Sequence, residues 1–265
     1  MAKNKYFAEG SKEEEERKRL SLIEENYDPA TINQLEKLGV SEGWKCLEVG
    51  AGGGSIARWL QKQVGTSGKV VATDIDIRFL KHLDSPNLEV REHNIITDQL
   101  ESETFDLVHA RWVLVHLNAP EKALQKMAYA LRPGGWLFIE DPDGCSLYSL
   151  DIGDPALKTY VKAMQSLAEM WKKQGLVDHY FGRKERSFLE RLGFTDIGCM
   201  GFTRLYKGGE PLALAHIMAS VHIKPMAISA GIVTERQWDG MTEQMMDPGH
   251  TYIDSTIFGA WGRKP

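Results

Sequence analysis

Cysteine is scarce in this chain: Cys46, Cys145 and Cys199 are the only three in 265 residues, far apart and without a CxxC pair. That pattern excludes a disulfide scaffold and a cysteine-based zinc site, and reads as reduced thiols in a cytoplasmic protein. Positive charge is not in surplus either, since 37 acidic residues face 32 basic ones for a formal net charge of -5. With no global positive field, neither nucleic acid nor an anionic membrane is an expected partner. Long apolar runs are missing as well. No stretch approaches the ~20 residues of a membrane span, and the N-terminal MAKNKYFAEGSKEEEERKRL carries charge where a secretory signal needs an apolar core. There is no internal repeat, no low-complexity tract beyond the run Glu13 to Glu16, and no HExxH metal motif. What remains is an ordinary globular composition, 42% hydrophobic and 26% charged, long enough for one elaborated domain or two small ones.

Residues 1–43 read as a helical N-terminal cap. Glu13 to Glu16 followed by Arg17, Lys18 and Arg19 suits i,i+4 pairs on a solvated helix, with Leu20 and Ile23 as its apolar side. Asp28-Pro29 is expected to punctuate it, and Ile32, Leu35 and Leu38 to form a second short helix closed by Gly39. Tyr6 and Phe7 are candidates to close over a bound ligand. From residue 44 to 265 the pattern is one α/β domain. Short apolar runs at Cys46 to Val49, Val70 to Thr73, Leu88 to Val90, Phe105 to His109 and Trp136 to Glu140 alternate with helical stripes, which argues for a parallel sheet covered on both faces. Asn118 is the expected N-cap of the helix that carries Ala123, Leu124 and Met127. Helical insertions at 142–181 and 208–250 interrupt the alternation. Pro211 to Ile223 is apolar nearly all round, as a helix covered by neighbours or by a second subunit would be, and Tyr252 to Trp261 reads as the last strand.

Cys46-Leu47-Glu48-Val49-Gly50-Ala51-Gly52-Gly53-Gly54-Ser55 lies between a predicted strand and a predicted helix. Its glycines let a tight turn approach a ligand at the carboxyl end of a strand, where open α/β sheets bind ligands. The spacing is GxGxG, not the GxGxxG of a dinucleotide turn. Glu48 would repel a pyrophosphate and suits a cationic ligand. Asp74 stands 24 residues after Gly50 at the end of the second strand, where a carboxylate can accept from both hydroxyls of a ribose; Asp76 is its neighbour and competitor.

Here the sequence resembles the class I S-adenosylmethionine-dependent methyltransferases, in their small-molecule branch, over roughly Trp44 to Glu140. Leu47 to Gly54 is similar to the family's first motif and Val71-Ala72-Thr73-Asp74 to its second. His93-Asn94-Ile95 stands where the family often has Gly-Asp and a small or apolar residue, Asn94 replacing the Asp. Phe105 to Arg111 with Val113 to Leu117 resembles the fourth strand and its sequel, and Leu131-Arg132-Pro133-Gly134-Gly135-Trp136-Leu137 the turn before the fifth.

The resemblance implies a Rossmann-like seven-stranded mixed sheet with a helical cap and a lid insertion. It implies S-adenosyl-L-methionine as cofactor, held by Glu48, Gly50, Ala51, Gly52, Gly54 and Ser55 at the first motif. Asp74 and Ile75 follow at the second, Asn94 and Ile95 at the adenine, and Ala110 and Arg111 beyond the fourth strand. The acceptor is expected to be a small molecule methylated at O, N or C by in-line displacement, with no metal and with alignment and exclusion of water as the enzyme's main contributions. A base matters only if the acceptor must lose a proton; His116, Asp141 and His179 are candidates, with His216 and His222 behind them. Ala110-Arg111-Trp112-Val113 is not the Pro-Pro signature of enzymes that methylate base amines, and Cys145 beside Asp141 and Asp143 is ill placed to be a nucleophile. The alternatives are a protein of the same fold that catalyses a non-methylating reaction such as a cyclisation, one that binds without turnover, and an NAD-dependent oxidoreductase.

Overall fold

The computed structural model describes residues 13–265 except 84, 147, 150–154, 175, 176 and 222. Tyr6, Phe7 and His222 lie outside the described residues. The chain begins with helix α1 (Glu13–Lys37), followed by β1 (Lys45–Val49), α2 (Ser55–Val64), β2 (Lys69–Asp74), β3 (Leu88–Glu92), β4 (Phe105–Arg111), α3 (Pro120–Ala130) and β5 (Leu131–Asp143). Then come β6 (Tyr148–Ser149), α4 (Pro155–Gln174), α5 (Glu185–Arg191), β7 (Thr195–Phe202), β8 (Leu205–Lys207), α6 (Pro211–Ser220), α7 (Lys224–Ser229), α8 (Glu235–Met246), β9 (Thr251–Ile253) and β10 (Thr256–Arg263).

Seven strands form one sheet in the order β3-β2-β1-β4-β5-β10-β7, with β10 antiparallel to both its neighbours. Because strand side chains alternate faces, adjacent residues feed separate cores. Cys46, Val70, Ala72, Leu107 and Phe138 pack under Ile56, Leu60 and Val64 of α2 and Leu35 of α1. Leu47, Val49, Val108 and Ile139 pack on the other face, under Leu124 and Met127 of α3 and Leu189 of α5. The strand order reverses between β1 and β4, so a crevice opens at their carboxyl ends.

Both insertions stand over that same edge. Thr256, which opens β10, pairs with Asp143, the last residue of β5, and Ile257 pairs with Phe202 of β7. The chain therefore leaves and rejoins the sheet at its carboxyl end, and the helices α4, α6, α7 and α8 gather there with a small sheet of order β6-β9-β8. Leu167 and Trp171 of α4 meet Trp238 and Met241 of α8 in their own apolar cluster.

Three elements differ from the sequence expectation. Pro29 does not end a helix: α1 runs through it. Pro29 and Glu25, whose carbonyl loses its intrahelical donor, both face solvent, so water satisfies the freed oxygen, and tertiary bonds on either side hold the helix in place. The helix α3 starts at Pro120 with Ala119 as its N-cap, because a proline at the first helical position needs no N–H there, and Asn118 is left outside. The last predicted strand is two, β9 and β10, which belong to different sheets.

Those tertiary bonds run through a buried polar network. Glu48 on β1, His109 on β4 and Glu140 on β5 point to the α1 side of the sheet. His109 Nδ1 lies 2.7 Å from Glu48 Oε2 and its Nε2 lies 3.0 Å from Glu140 Oε2. Thr31 Oγ1 donates to the same Glu140 oxygen at 2.7 Å, and Arg111 donates to Thr31 Oγ1 at 2.8 Å and to Asp28 Oδ1 at 2.7 Å. Burial opposes a charge on His109, but Glu48 and Glu140 outweigh it and raise the imidazole to about 9. The ring is thus a cation that donates from both nitrogens.

A folded-state pKa above the ordinary 6.5 contributes stability in full below pH 6.5 and loses it as pH rises toward 9. Chemical denaturation of the wild type should show stability falling across that window. His109→Gln should lose roughly 3–5 kcal/mol at pH 6, the typical cost of breaking a buried ion pair, and show a flatter pH profile.

Candidate active site

The glycine turn is shaped by its bonds to β2. The N–H groups of Gly50 and Ala51 both donate to Thr73 O, at 2.8 and 2.9 Å, and that of Gly52 donates to Asp74 Oδ2 at 2.9 Å. Gly50, Gly52 and Gly54 hold φ of +70°, +56° and +85°, the left-handed region that glycine enters without strain. Gly50 has a second reason to lack a side chain. A Cβ there would lie 2.4 Å from Cγ2 of Val113, which follows β4. Ser55 then opens α2.

Asp74 ends β2 with its second oxygen, Oδ1, accepting from Asp76 N at 3.0 Å. Burial pushes its pKa above the usual carboxylate value, while the N–H groups of Asp76 and Gly52 work against that shift. The N–H of Ile75 acts on it in the same sense, so backbone donors hold the carboxylate in place at the end of β2. Asp76 is spent on Arg78, whose guanidinium it binds at 2.7 Å. Next to Asp74, Ile75 leaves an exposed apolar side chain. Asn94 follows β3; its amide oxygen accepts from Ile96 N at 2.9 Å and so fixes the turn that buries Ile95.

The roof over the turn comes from α1. A Cβ on Gly53 would stand 2.4 Å from Glu24 Oε1, and one on Gly52 3.5 Å from Leu20. Glu24 lies 3.4 Å from Ser55 N, and burial with the nearby Asp28 raises its pKa. A cavity of about 210 Å³ remains at the edge, lined by Arg17, Leu20, Glu24, Gly53, Arg58 and Phe79 among others.

At the end of β4, Ala110 is buried and the Arg111 side chain turns to α1. Trp112 follows with φ +58°, a costly conformation for a bulky residue, held by its N–H to Glu140 O at 2.8 Å. Its indole Nε1 is buried without a hydrogen-bond partner among the described residues, and its ring centre lies 6.0 Å from that of Tyr27.

The structure separates the candidate bases. Burial, then the charges of His179 and Arg19, pull His116 down to about 3, and burial pulls His179 down to about 4 beside Trp171, on which it stacks at 5.0 Å. Asp141 is fully buried, its Oδ1 accepting from Val115 N at 3.1 Å, and burial pushes its pKa well up. His216 on α6 meets Asp254 at 2.9 Å. Among the described residues no His, Cys, Asp and Glu side chains cluster to hold a metal ion, and no helix is long and apolar enough to cross a membrane.

Sequence reasoning missed Glu24, Asp28, Thr31, His109 and Glu140 as parts of this region. A signal existed for two of them: His109 and Glu140 interrupt otherwise apolar strands, as Glu48 does, on what period two makes the same face of the sheet.

Residues 47–139 match the family model described as "Methyltransferase domain". The curated relative methyltransferase str2 of Strobilurus tenacellus is 28% identical over 159 residues, covering 60% of this chain and 56% of that protein. The chain spans about half the length of the curated relatives it matches. A methyltransferase structure from Bacillus halodurans superposes with a TM-score of 0.58 at 16% identity, covering 89% of this chain and 99% of that one. The phosphoethanolamine N-methyltransferase 2 of Haemonchus contortus in complex with S-adenosyl-L-methionine gives a TM-score of 0.57 at 14% identity, covering 100% of this chain and 61% of that one.

Gly50→Ala should destabilise the fold by more than Gly39→Ala. Both positions have positive φ, +70° and +83°, but only at Gly50 does the added methyl meet a neighbour, Gly39 having nothing within 4 Å. Gly39→Ala should cost about 1–2 kcal/mol and Gly50→Ala visibly more in parallel denaturation curves.

Proposed function

We propose that this chain, which carries a class I methyltransferase domain, binds S-adenosylmethionine at the turn between β1 and α2 and directs its methyl group to a small-molecule acceptor. One arrangement carries the reading: a carboxylate, Asp74, fixed by the backbone N–H groups of Gly52 and Asp76 against the glycine turn, at the carboxyl ends of β1 and β2. Bound there, the cofactor supplies an electrophilic methyl group on a sulfonium.

The chain's own residues do the rest. Gly50, Ala51, Gly52 and Gly54 bring backbone close to the methionine and ribose portion, and Ser55 closes the turn. Asp74 takes the ribose hydroxyls. Ile75 offers an apolar face to the adenine and Asn94 stands beside it with an amide, while Ile95, buried in the core, anchors that turn. Ala110 and Arg111 contribute backbone where the sheet reverses. Glu48 serves this site indirectly: its carboxylate is held by His109, so the charge near the turn is fixed and shared.

The roof keeps water out. Leu20 and Glu24 cover the glycines, and α1 is locked to the sheet by Asp28 and Thr31. Over the carboxyl edge, Tyr206, Leu212 and Tyr252 pack with Tyr27 in one buried apolar cluster, and Trp112 after β4 and Ile217 of α6 are partly exposed against it. Such a wall suits a partly apolar metabolite. The names of the relatives, all of them methyltransferases of small molecules where a substrate is printed, support the same class.

Calorimetric titration with S-adenosylmethionine and with NAD tests this reading. S-adenosylmethionine should bind, and Asp74→Ala should weaken it at least tenfold, since a bond to a charged group is worth about 1.5–3 kcal/mol. Binding of NAD alone overturns the proposal. The raised Asp74 pKa sets the sign of the pH dependence. Affinity should fall on acidification at a higher pH than an ordinary carboxylate would give, and Asp74→Asn should be weak with no such fall.

A further inference from the structure

We infer that His216 is the base that removes the proton from a hydroxyl-bearing acceptor, with Asp254 and Tyr27 as the positioning residues that fix its ring; the inference rests on the methyl-transfer reading above. His216 is the only ionisable side chain within Pro211–Ser220, in the middle of an otherwise apolar helix. Its Nε2 faces Asp254 Oδ1 at 2.9 Å. Asp254 is fully buried and receives two more donors, Tyr27 OH on Oδ2 at 2.5 Å and Ser255 N on Oδ1 at 2.8 Å. All its partners donate, so the histidine nitrogen that faces it carries the hydrogen. The neutral ring then has its lone pair on Nδ1. That nitrogen has no hydrogen-bond partner among the described residues, and the side chain keeps 23% of its surface exposed. A carboxylate that fixes the tautomer of a partly open imidazole is the arrangement that makes histidine an effective base.

The placement fits the task. Asp254 stands two residues ahead of Thr256, which pairs with Asp143 at the end of β5. Tyr27, bonded to Asp254, lies against Trp112 just past the end of β4. The pair therefore sits over the carboxyl ends of β4 and β5, where β10 begins, beside the segment assigned to the cofactor. The competing groups are otherwise engaged, Asp141 by Val115 N and His179 by its stacking on Trp171. In the step, the hydroxyl proton passes to Nδ1 as an oxygen lone pair forms the new bond to the methyl carbon and sulfur keeps the electron pair of the broken C–S bond. The imidazolium, paired with Asp254, then releases its proton to solvent. An acceptor of this kind is an alcohol, phenol or enol.

The groups that face His216 are Asp254 from the loop before β10, Tyr206 from β8, stacked on the ring at 5.8 Å, and Tyr27 from α1 through Asp254; Arg204 nearby is turned to Asn26. Nitrogen-15 NMR of the wild-type protein without cofactor should show the neutral His216 ring protonated on Nε2, and Asp254→Asn should disturb that preference. A ring protonated on Nδ1 in the wild type overturns the inference. Transfer is then read with labelled S-adenosylmethionine and a small-molecule metabolite extract as the acceptor probe. His216→Gln keeps a donor toward Asp254 but has no basic nitrogen. It should bind the cofactor within twofold of wild type, unfold at a similar temperature and lose transfer at least 100-fold, with a rate that climbs as pH rises and the acceptor ionises unaided. Transfer within threefold of wild type in His216→Gln shows that the ring only anchors α6 and overturns the inference. A wild-type protein that binds the cofactor and labels nothing in the extract overturns the methyl-transfer reading itself.

Discussion

A protonated imidazole held between two carboxylates, out of reach of water, is the contact from which the rest of this molecule hangs. His109 bridges Glu48 and Glu140, so one ring ties the central strands β1, β4 and β5 together on a single face. Each of those charges would be prohibitive alone in such a place. Together they form a short row, and α1 joins it through Thr31, which shares a Glu140 oxygen with His109, and through Asp28, which Arg111 of β4 binds. The long first helix has few apolar residues on its buried side, where Asn26, Thr31 and Gln34 are covered. Its position is set mainly by polar matching, which is directional and so fixes register more tightly than an apolar seam would.

That register matters because the roof of the glycine turn belongs to the same helix. Glu24 and Leu20 lie about one and two turns ahead of Asp28, which grips the network through Arg111, and they cover Gly53 and Gly52. The buried ion row and the ligand turn are thus two ends of one rigid lever. Asp74 completes the arrangement from below, since the bond it receives from Gly52 shapes the turn and leaves the carboxylate facing the crevice.

Much of the sheet was legible because each central strand is a short apolar run bounded by glycine or a charged residue, and the glycine turn with Asp74 marks its ligand edge. The candidate site's turn was legible where it depends on backbone, at Gly50, Gly52 and Gly54, whose φ is positive, and its surroundings less so where they depend on long-range pairing. Nothing local to Thr31 or Asp28 announces a partner 109 or 83 residues away. Pro29 misled for a similar reason, as its cost is paid to solvent on the open side of α1 while the buried side is held from outside the helix. Asp254 and His216, 38 residues apart in an insertion of short helices, carry no motif at all and are joined only by the return of the chain to β10.

The return itself has a wider consequence. Both insertions leave the sheet at its carboxyl edge and come back to that edge, one between β5 and α5 and the other between β7 and β10. Neither supplies a strand to the seven-stranded sheet, so neither sets the strand order, and the second is tied to α1 through Tyr27 and Asn26. The space over the carboxyl edge is therefore shaped by two segments outside the strand order, while the turn between β1 and α2 takes its form from bonds to β2.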